Sequence, residues 1–492
     1  MSLSKILNLH KFNKYPLNYF NNKPKFTLHM KKLFMFFSAA CLVSSIASAQ
    51  LRPTDQTGVN MFETPKTDIQ FTGPHVGFGG SIAMPYIALS HSNGVVEQDP
   101  AKNSQALFLN SPNFALSMAN LDINSYLSDG ISLKVTLYLA SKHHNETWVK
   151  GGYVQFDKIP FLHLDLLDEV MKYTTIKVGQ MDVNYGDAHF RRSDGGNAIY
   201  NPFMENYIMD EFATEIGAEA DFSYKGIVAV ASVTNGNLNP SLAYIDTTKA
   251  ANKYSNGLHN PSWIAKLGYD KQITDNFRAR LTGSVYYTAG AGSNTLFGGD
   301  RSGSNYSAVM YNLAPGNGTA FNGRVNPGLS DRVNTYMGNL FLKYKPLDFI
   351  SVESFTTIEK ASGAKASEAI NRNASQFATD LVFRFGKNEN FYIGGRYNTL
   401  SADQAASNAI TAAKLNTDNA ASKTAYTIGQ DAVPAFTLGV NRLAISAGWY
   451  VTKNMLTKIE YSNQTYGNVP NVNYILNGAE FHGISAEAVI SF

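Results

Sequence analysis

The densest group of chemically capable side chains lies between residues 183 and 212, which read VNYGDAHFRRSDGGNAIYNPFMENYIMDEF. Asp187, His189, Arg191, Arg192 and Asp194 come first, and Glu205, Asp210 and Glu211 follow. Two adjacent guanidinium groups suit bidentate capture of anionic solutes. The same stretch carries Tyr185, Phe190, Tyr200, Phe203 and Tyr207, with turn signals at Gly195-Gly196 and Asn201-Pro202. Aromatic residues at this density need a surface to pack on. The segment is therefore expected either to fold inward against a wall and narrow a passage, or to form an ordered outer cap.

Other chemistry is sparse. His143-His144-Asn145-Glu146 supplies ligand-type residues without the H-E-x-x-H spacing, and no G-x-S-x-G, Walker loop or dinucleotide fingerprint occurs. The chain has one cysteine, Cys41. No catalytic residue, metal site or cofactor is expected, and the chain is expected not to be an enzyme.

The elements that must position these residues show alternation. Ile131, Leu133, Val135, Leu137 and Leu139 share one parity, and Ser132, Lys134, Thr136 and Tyr138 share the other. Phe277, Ala279, Leu281, Val285 and Tyr287 oppose Arg278, Arg280, Thr282 and Ser284. Met455, Ile459 and Tyr461 oppose Lys458, Glu460 and Ser462. Successive strand side chains point to opposite faces, so each run reads as a two-faced strand. About sixteen such strands are expected between residues 76 and 492, one of them over 113–127 with a change of parity that either a bulge or the absence of a single continuous strand there would explain. Short connectors at 128–129, 224–225, 345–348, 387–389 and 452–453 alternate with long ones at 91–112, 183–212, 235–260, 289–332, 400–435 and 464–478. Residues 160–173, PFLHLDLLDEVMKY, interrupt the short side and suit a short amphipathic helix.

Composition agrees. Of 492 residues, 44% are hydrophobic but just 16% are charged, against about 25% in soluble proteins. No stretch after residue 50 is long and apolar enough for a membrane helix. The expected fold is an all-β, transmembrane, antiparallel up-and-down barrel with short periplasmic turns and long outer loops. Tyr336, Tyr344, Tyr269, Trp449 and Tyr461 sit near strand ends, where aromatic girdles form.

Residues 30–49 read as a secretory signal peptide: Lys31 and Lys32, an apolar run, then Ala47-Ser48-Ala49. Lipid attachment at Cys41 is the minor alternative. Residues 1–29 read as an upstream mis-start before Met30. Residues 1–49 hold seven lysines and no acid, so their removal takes the net charge from +3 to −4. The basic balance thus implies no nucleic-acid partner. Residues 50–75 are Pro-rich and non-periodic, expected as an N-terminal periplasmic or plug segment before the barrel at 76–492.

The polar parity gives a lumen inventory. Cations are Lys134, Lys177, Lys266, Arg278, Arg280, Lys343, Arg384, Arg396, Arg442 and Lys458. Anions are Glu215, Glu219, Asp221, Glu353, Asp380, Glu460 and Glu487. The excess of cations leads to an expected weak anion preference.

The last strand places Ile484, Ala486, Ala488, Ile490 and the terminal Phe492 on one face, which resembles the assembly signal of bacterial outer-membrane proteins. Ile176-Lys177-Val178-Gly179-Gln180 followed by Tyr185-Gly186 resembles the strand and loop entry of phosphate-selective O/P-type porins. The run Gly186-Asp187-Ala188-His189-Phe190-Arg191-Arg192-Ser193-Asp194-Gly195-Gly196 is similar to one in uncharacterised porin-like proteins. The resemblance implies a cell outer-membrane porin passing small hydrophilic solutes, assembled through the barrel-assembly machinery and forming a homotrimer. The family's dense lysine cluster has no counterpart in these loops. Two rival functions are a fatty-acid-type channel with an N-terminal plug and an outer-membrane barrel hydrolase.

Overall fold

Alternating strands can bury their backbone groups in a membrane only by pairing on both edges. The computed structural model describes residues 52–66, 71–95, 106–107, 109–115, 117–139, 147–194, 197–211, 213–238, 260–298, 309–310, 323–406, 410–414, 427–430, 433–470 and 474–492. Their strands are β1 (His75–Ser92), β2 (Asn113–Phe114), β3 (Met118–Ser128), β4 (Ile131–Leu139), β5 (Trp148–Phe156), β6 (Thr174–Asp182), β7 (Thr214–Tyr224), β8 (Ile227–Thr234), β9 (Ser262–Thr274), β10 (Phe277–Thr288), β11 (Arg332–Leu347), β12 (Ile350–Ala364), β13 (Arg372–Phe385), β14 (Phe391–Gln404), β15 (Ile410–Lys414), β16 (Thr427–Gln430), β17 (Phe436–Thr452), β18 (Met455–Gly467) and β19 (Glu480–Ser491). Leaving aside the short β2 and the separate β15–β16 hairpin, sixteen strands pair antiparallel in chain order. β1 closes the ring by pairing with both β3 and β19. The expected all-β up-and-down barrel of about sixteen strands is the observed one.

The parity also holds. On β10, Leu281 is 62% exposed while its neighbours Arg280 and Thr282 are buried. Ile459 and Tyr461 on β18 face out; Lys458, Glu460 and Ser462 face in. Ile484, Ile490 and Phe492 are exposed at the closing edge, as are Tyr269, Tyr336, Tyr344, Trp449 and Tyr461. A sealed hydrogen-bonded cylinder, apolar outside and charged inside, is a transmembrane barrel of the outer-membrane class. No helix among the described residues is long and apolar enough to cross a membrane.

Two expectations change. The strand over 113–127 is two strands: β2 pairs with Tyr86 and Ile87 of β1, and β3 restarts at Met118 against Ala83. The parity change marks a break between strands, not a bulge within one. The strands of one side also run further than the alternation indicates: β12 reaches Ala364 and β18 reaches Gly467, whereas β8 spans just Ile227–Thr234. Beyond the apolar band, pairing continues without a lipid-facing pattern to betray it.

Five connections, 129–130, 225–226, 275–276, 348–349 and 453–454, are two residues long. Antiparallel order puts all five at one end, called here the turn rim. In one of them Lys225 and Gly226 both take positive φ, the geometry that matches the twist of paired strands. The helix Asp165–Met171 stands at this rim between β5 and β6. The signal peptide, the upstream start, Cys41, His143–Glu146 and Gly195-Gly196 lie outside the described residues.

Candidate functional site

A ring of sixteen strands is too wide for its own side chains to fill, so water or other chain must enter. Two segments do. The first is residues 52–66, which cross the turn rim. Thr54 Oγ1 donates to the Phe492 carbonyl (2.9 Å), and Gln56 donates from its backbone N to Lys453 O (2.7 Å) and from Nε2 to Asn388 O (2.7 Å). At the far side, Lys66 Nζ donates to the carbonyls of Asp157 (2.6 Å), Thr174 (2.5 Å) and Met171. Between these anchors Phe62 packs edge-on against Phe190 and Phe341, with ring centroids 5.7 and 5.4 Å away.

The second is the loop after β6. It turns inward at Gly186, whose φ is +66° and where a Cβ would meet Met337 Sδ at 2.0 Å. A side chain there would clash with the wall. From that point the loop runs across the inner faces of β11–β14 and β17–β19. Tyr185 donates to Glu359 (3.0 Å), and the backbone N–H groups of Met209, Ile208 and Met204 donate to Gln376 (2.8 Å), Asn398 (2.7 Å) and Glu460 (2.6 Å). Returning, Arg396 donates to Glu205 O (2.6 Å), Arg442 to Asn206 O (2.6 Å), and Lys458 to the carbonyls of Ala198 and Phe203 (3.0 Å each). Inward polar residues thus serve the loop's backbone, which has no sheet to satisfy it.

The loop charges are absorbed in the same way. Asp187 accepts from Arg280 (2.8 Å from Nε and from Nη2), Lys266 (3.1 Å) and Thr282 (2.7 Å). Burial alone would raise this carboxyl; Lys266 and Arg280 outweigh it and hold it below the usual range. Glu63 joins the group through Lys266 (3.1 Å) and Arg280 (2.7 Å). Arg192 Nε holds both oxygens of Asp210 (3.0 and 2.9 Å), and Asp194 takes Lys150 (2.6 Å). Arg191 stacks over Phe355 at 4.8 Å and lies 3.9 Å from Asp380. Burial lowers its pKa, with Asp380 and Glu353 opposing. His189, half-buried beside Lys266 at the cavity wall, stays neutral down to about 3, mainly by desolvation.

Among the described residues, larger open space remains at two places: one of about 410 Å³ is confined to the turn rim, among Gln56, Lys343, Arg384, Glu389 and Tyr450. The other, a cavity of about 250 Å³, runs along the inner faces of β3–β7, from Phe222 and Tyr173 near the turn rim to Lys150 and Asp182. Lys134 and Lys177 face it, with side chains 30% and 22% exposed. Lys134 lies 3.7 Å from Asp122, and Lys177 bonds Glu219 (3.0 Å) and Asp221 (2.6 Å). The cavity's charged lining comprises Arg52, Lys66, Lys134, Lys150 and Lys177 against Glu63, Asp122, Asp157, Asp182, Glu219 and Asp221.

The residues expected at a constriction are therefore divided. His189 lines the cavity; Arg191 and Arg192 line a separate cleft of about 20 Å³ with Tyr207, Asp210 and Arg396. Of the lumen inventory, Lys134, Lys177, Glu219 and Asp221 reach the cavity. Elsewhere, Arg278 pairs with Asp270 (2.7 Å), Arg384 with Glu353 (2.8 Å), Arg396 with Asp380 (2.7 Å), and Lys458 with Glu487 (2.9 Å). Lys343 pairs with Glu389 (2.6 Å), and Glu215 accepts from Tyr286 (2.9 Å). Sequence reasoning missed Arg52, Glu63, Lys66, Asp122, Lys150, Asp157 and Asp182. Lys150 follows a register shift at Thr136/Leu137 that breaks the parity count. Arg52, Glu63 and Lys66 sit in a segment without periodicity, where a charge has no readable direction; Asp122 lies near the parity change before β3, and Asp157 and Asp182 lie at strand ends.

No family model matches the sequence, and no curated protein matches it. Solved structures of similar fold include the outer-membrane expressed OmpT of Vibrio cholerae (10% identity, covering 87% of this chain and 100% of that one, TM-score 0.44). An anion-selective porin from Comamonas acidovorans (7% identity, 85% and 100%, TM-score 0.43) and OccK1 of Pseudomonas aeruginosa (7%, 84% and 98%, TM-score 0.37) are also similar.

Proposed function

We propose that this chain is an outer-membrane porin in which small hydrophilic solutes diffuse along the β3–β7 side of the lumen. The observation that carries the reading is the charged, amide-rich cavity on that side of a barrel whose outer face is apolar. A fatty-acid conduit fits such a lining poorly, because desolvated charge repels an acyl chain. The chain acts by passive permeation and not by catalysis.

Selectivity follows from the lining. Many inward cations counted from the strands are buried against the loop, and the cavity sets five cations against six carboxylates. Lys134, Lys150 and Lys177 each have a carboxylate partner. We therefore propose weak ion selectivity in place of an anion preference, and no dedicated phosphate site. A homotrimer is part of the same proposal, with the turn rim facing the periplasm. Planar-bilayer recording of the refolded full chain tests it: stable ohmic steps with a reversal potential near zero in a KCl gradient support it, and electrical silence overturns it.

A further inference from the structure

The turn rim carries an apolar surface that permeation does not use. On the helix Asp165–Met171 between β5 and β6, Leu166 and Val170 stand at the i, i+4 spacing that places side chains on one face, and Leu162 ends the 3₁₀ turn Pro160–Leu162 just before it. All three are exposed, Leu166 at 80%. Asp165, Asp168 and Glu169 take other positions around the helix, and Met171 is buried. A two-turn helix gains nothing by showing leucines to water. Its far end identifies what covers it. Tyr173, just past the helix, packs edge-on against Phe222 and Tyr224, with centroids 6.4 and 4.6 Å away. Phe222 reaches the cavity mouth, whereas Tyr224 has the outward parity of β7 and pairs with Ile227, which is 44% exposed. The helix is thus joined to the aromatic edge of the lipid-facing band.

We propose that residues 160–173 form a foot lying in the bilayer interface, with the Leu166–Val170 stripe of the helix and the exposed Leu162 before it set into the acyl boundary of the leaflet at the turn rim. The occupant is lipid; a protein docked on the stripe is the competing outcome. Interfacial helices bind by such a stripe, with polar groups left toward water.

Cys41 is the chain's one cysteine, so single-site labelling is direct. The full chain carrying Cys41→Ser with Leu166→Cys is labelled with a nitrobenzoxadiazole fluorophore and reconstituted into phosphatidylethanolamine–phosphatidylcholine vesicles. Ile459→Cys on the outer face and Asp275→Cys on an exposed turn are the lipid and water references. The foot predicts quenching of the Leu166 label by nitroxide lipids at the Ile459 level and several-fold weaker quenching by iodide than at Asp275. Iodide quenching equal to that at Asp275, or protection from both quenchers as under a protein, overturns it. Val170→Cys repeats the readout if Leu166→Cys does not refold to the heat-modifiable barrel.

Discussion

The two halves of this lumen use the same residue types for opposite ends. Along β11–β14 and β17–β19, inward Arg396, Arg442, Lys458, Gln376 and Asn398 are buried and bonded to the inserted loop, and Arg384 is buried and bonded to Glu353 on the neighbouring strand. Along β3–β7, Lys134 and Lys177 remain partly exposed over a cavity. The strands differ too: β17 has 17 residues, and β5 and β6 have 9 each. A long wall gives an incoming loop more rungs to bond. Charge on a strand's inner parity therefore does not by itself make a pore lining; the covering segment decides.

The comparison can be broken by removing the cover. Replacing residues 198–208 with a short Gly-Ser link should open the packed half and raise single-channel conductance several-fold. An unchanged step size would show that those residues do not fill the path. The next effect is on stability. Arg280→Met strips Asp187, Glu63 and Asp270 of a shared buried cation, a loss of about 3–5 kcal/mol, read from denaturant midpoints in detergent. A far smaller loss would mean that water already reaches the cluster.

A pH effect follows from His189. The unfolded chain takes up a proton near 6.5, while the folded site stays neutral to about 3, so stability should fall as pH drops through that window. His189→Asn should flatten this part of the profile. The smallest expected effect sharpens the contrast most. Lys177→Gln should shift the reversal potential toward cations with little change in midpoint; Lys458→Gln should lower the midpoint and leave the potential alone.

The barrel was legible because lipid enforces parity: Leu281 and Ile459 must face out, and their neighbours must then face in. Closure at Phe492 was legible for the same reason. Parity says nothing about a segment that no lipid touches. Residues 52–66 have no repeat, so neither Glu63 beside Arg280 nor Lys66 under three carbonyls could be read. The aromatic density of 183–212 correctly demanded a packing surface, but which wall received it depends on contacts such as Met209 with Gln376, far apart in sequence. Arg191 and Arg192 looked like solute ligands because their partners Asp380 and Asp210 are separated from them by the fold or a loop turn.

The account stands on water following one wall and not the other. Its most direct measurement is conductance before and after a charged thiol reagent in Cys41→Ser chains carrying Tyr153→Cys, on the cavity wall, or Gln464→Cys, buried on the packed wall beneath Gly323. The account predicts that the reagent reduces current through Tyr153→Cys and leaves Gln464→Cys unmodified. Block at Gln464→Cys with none at Tyr153→Cys would contradict it.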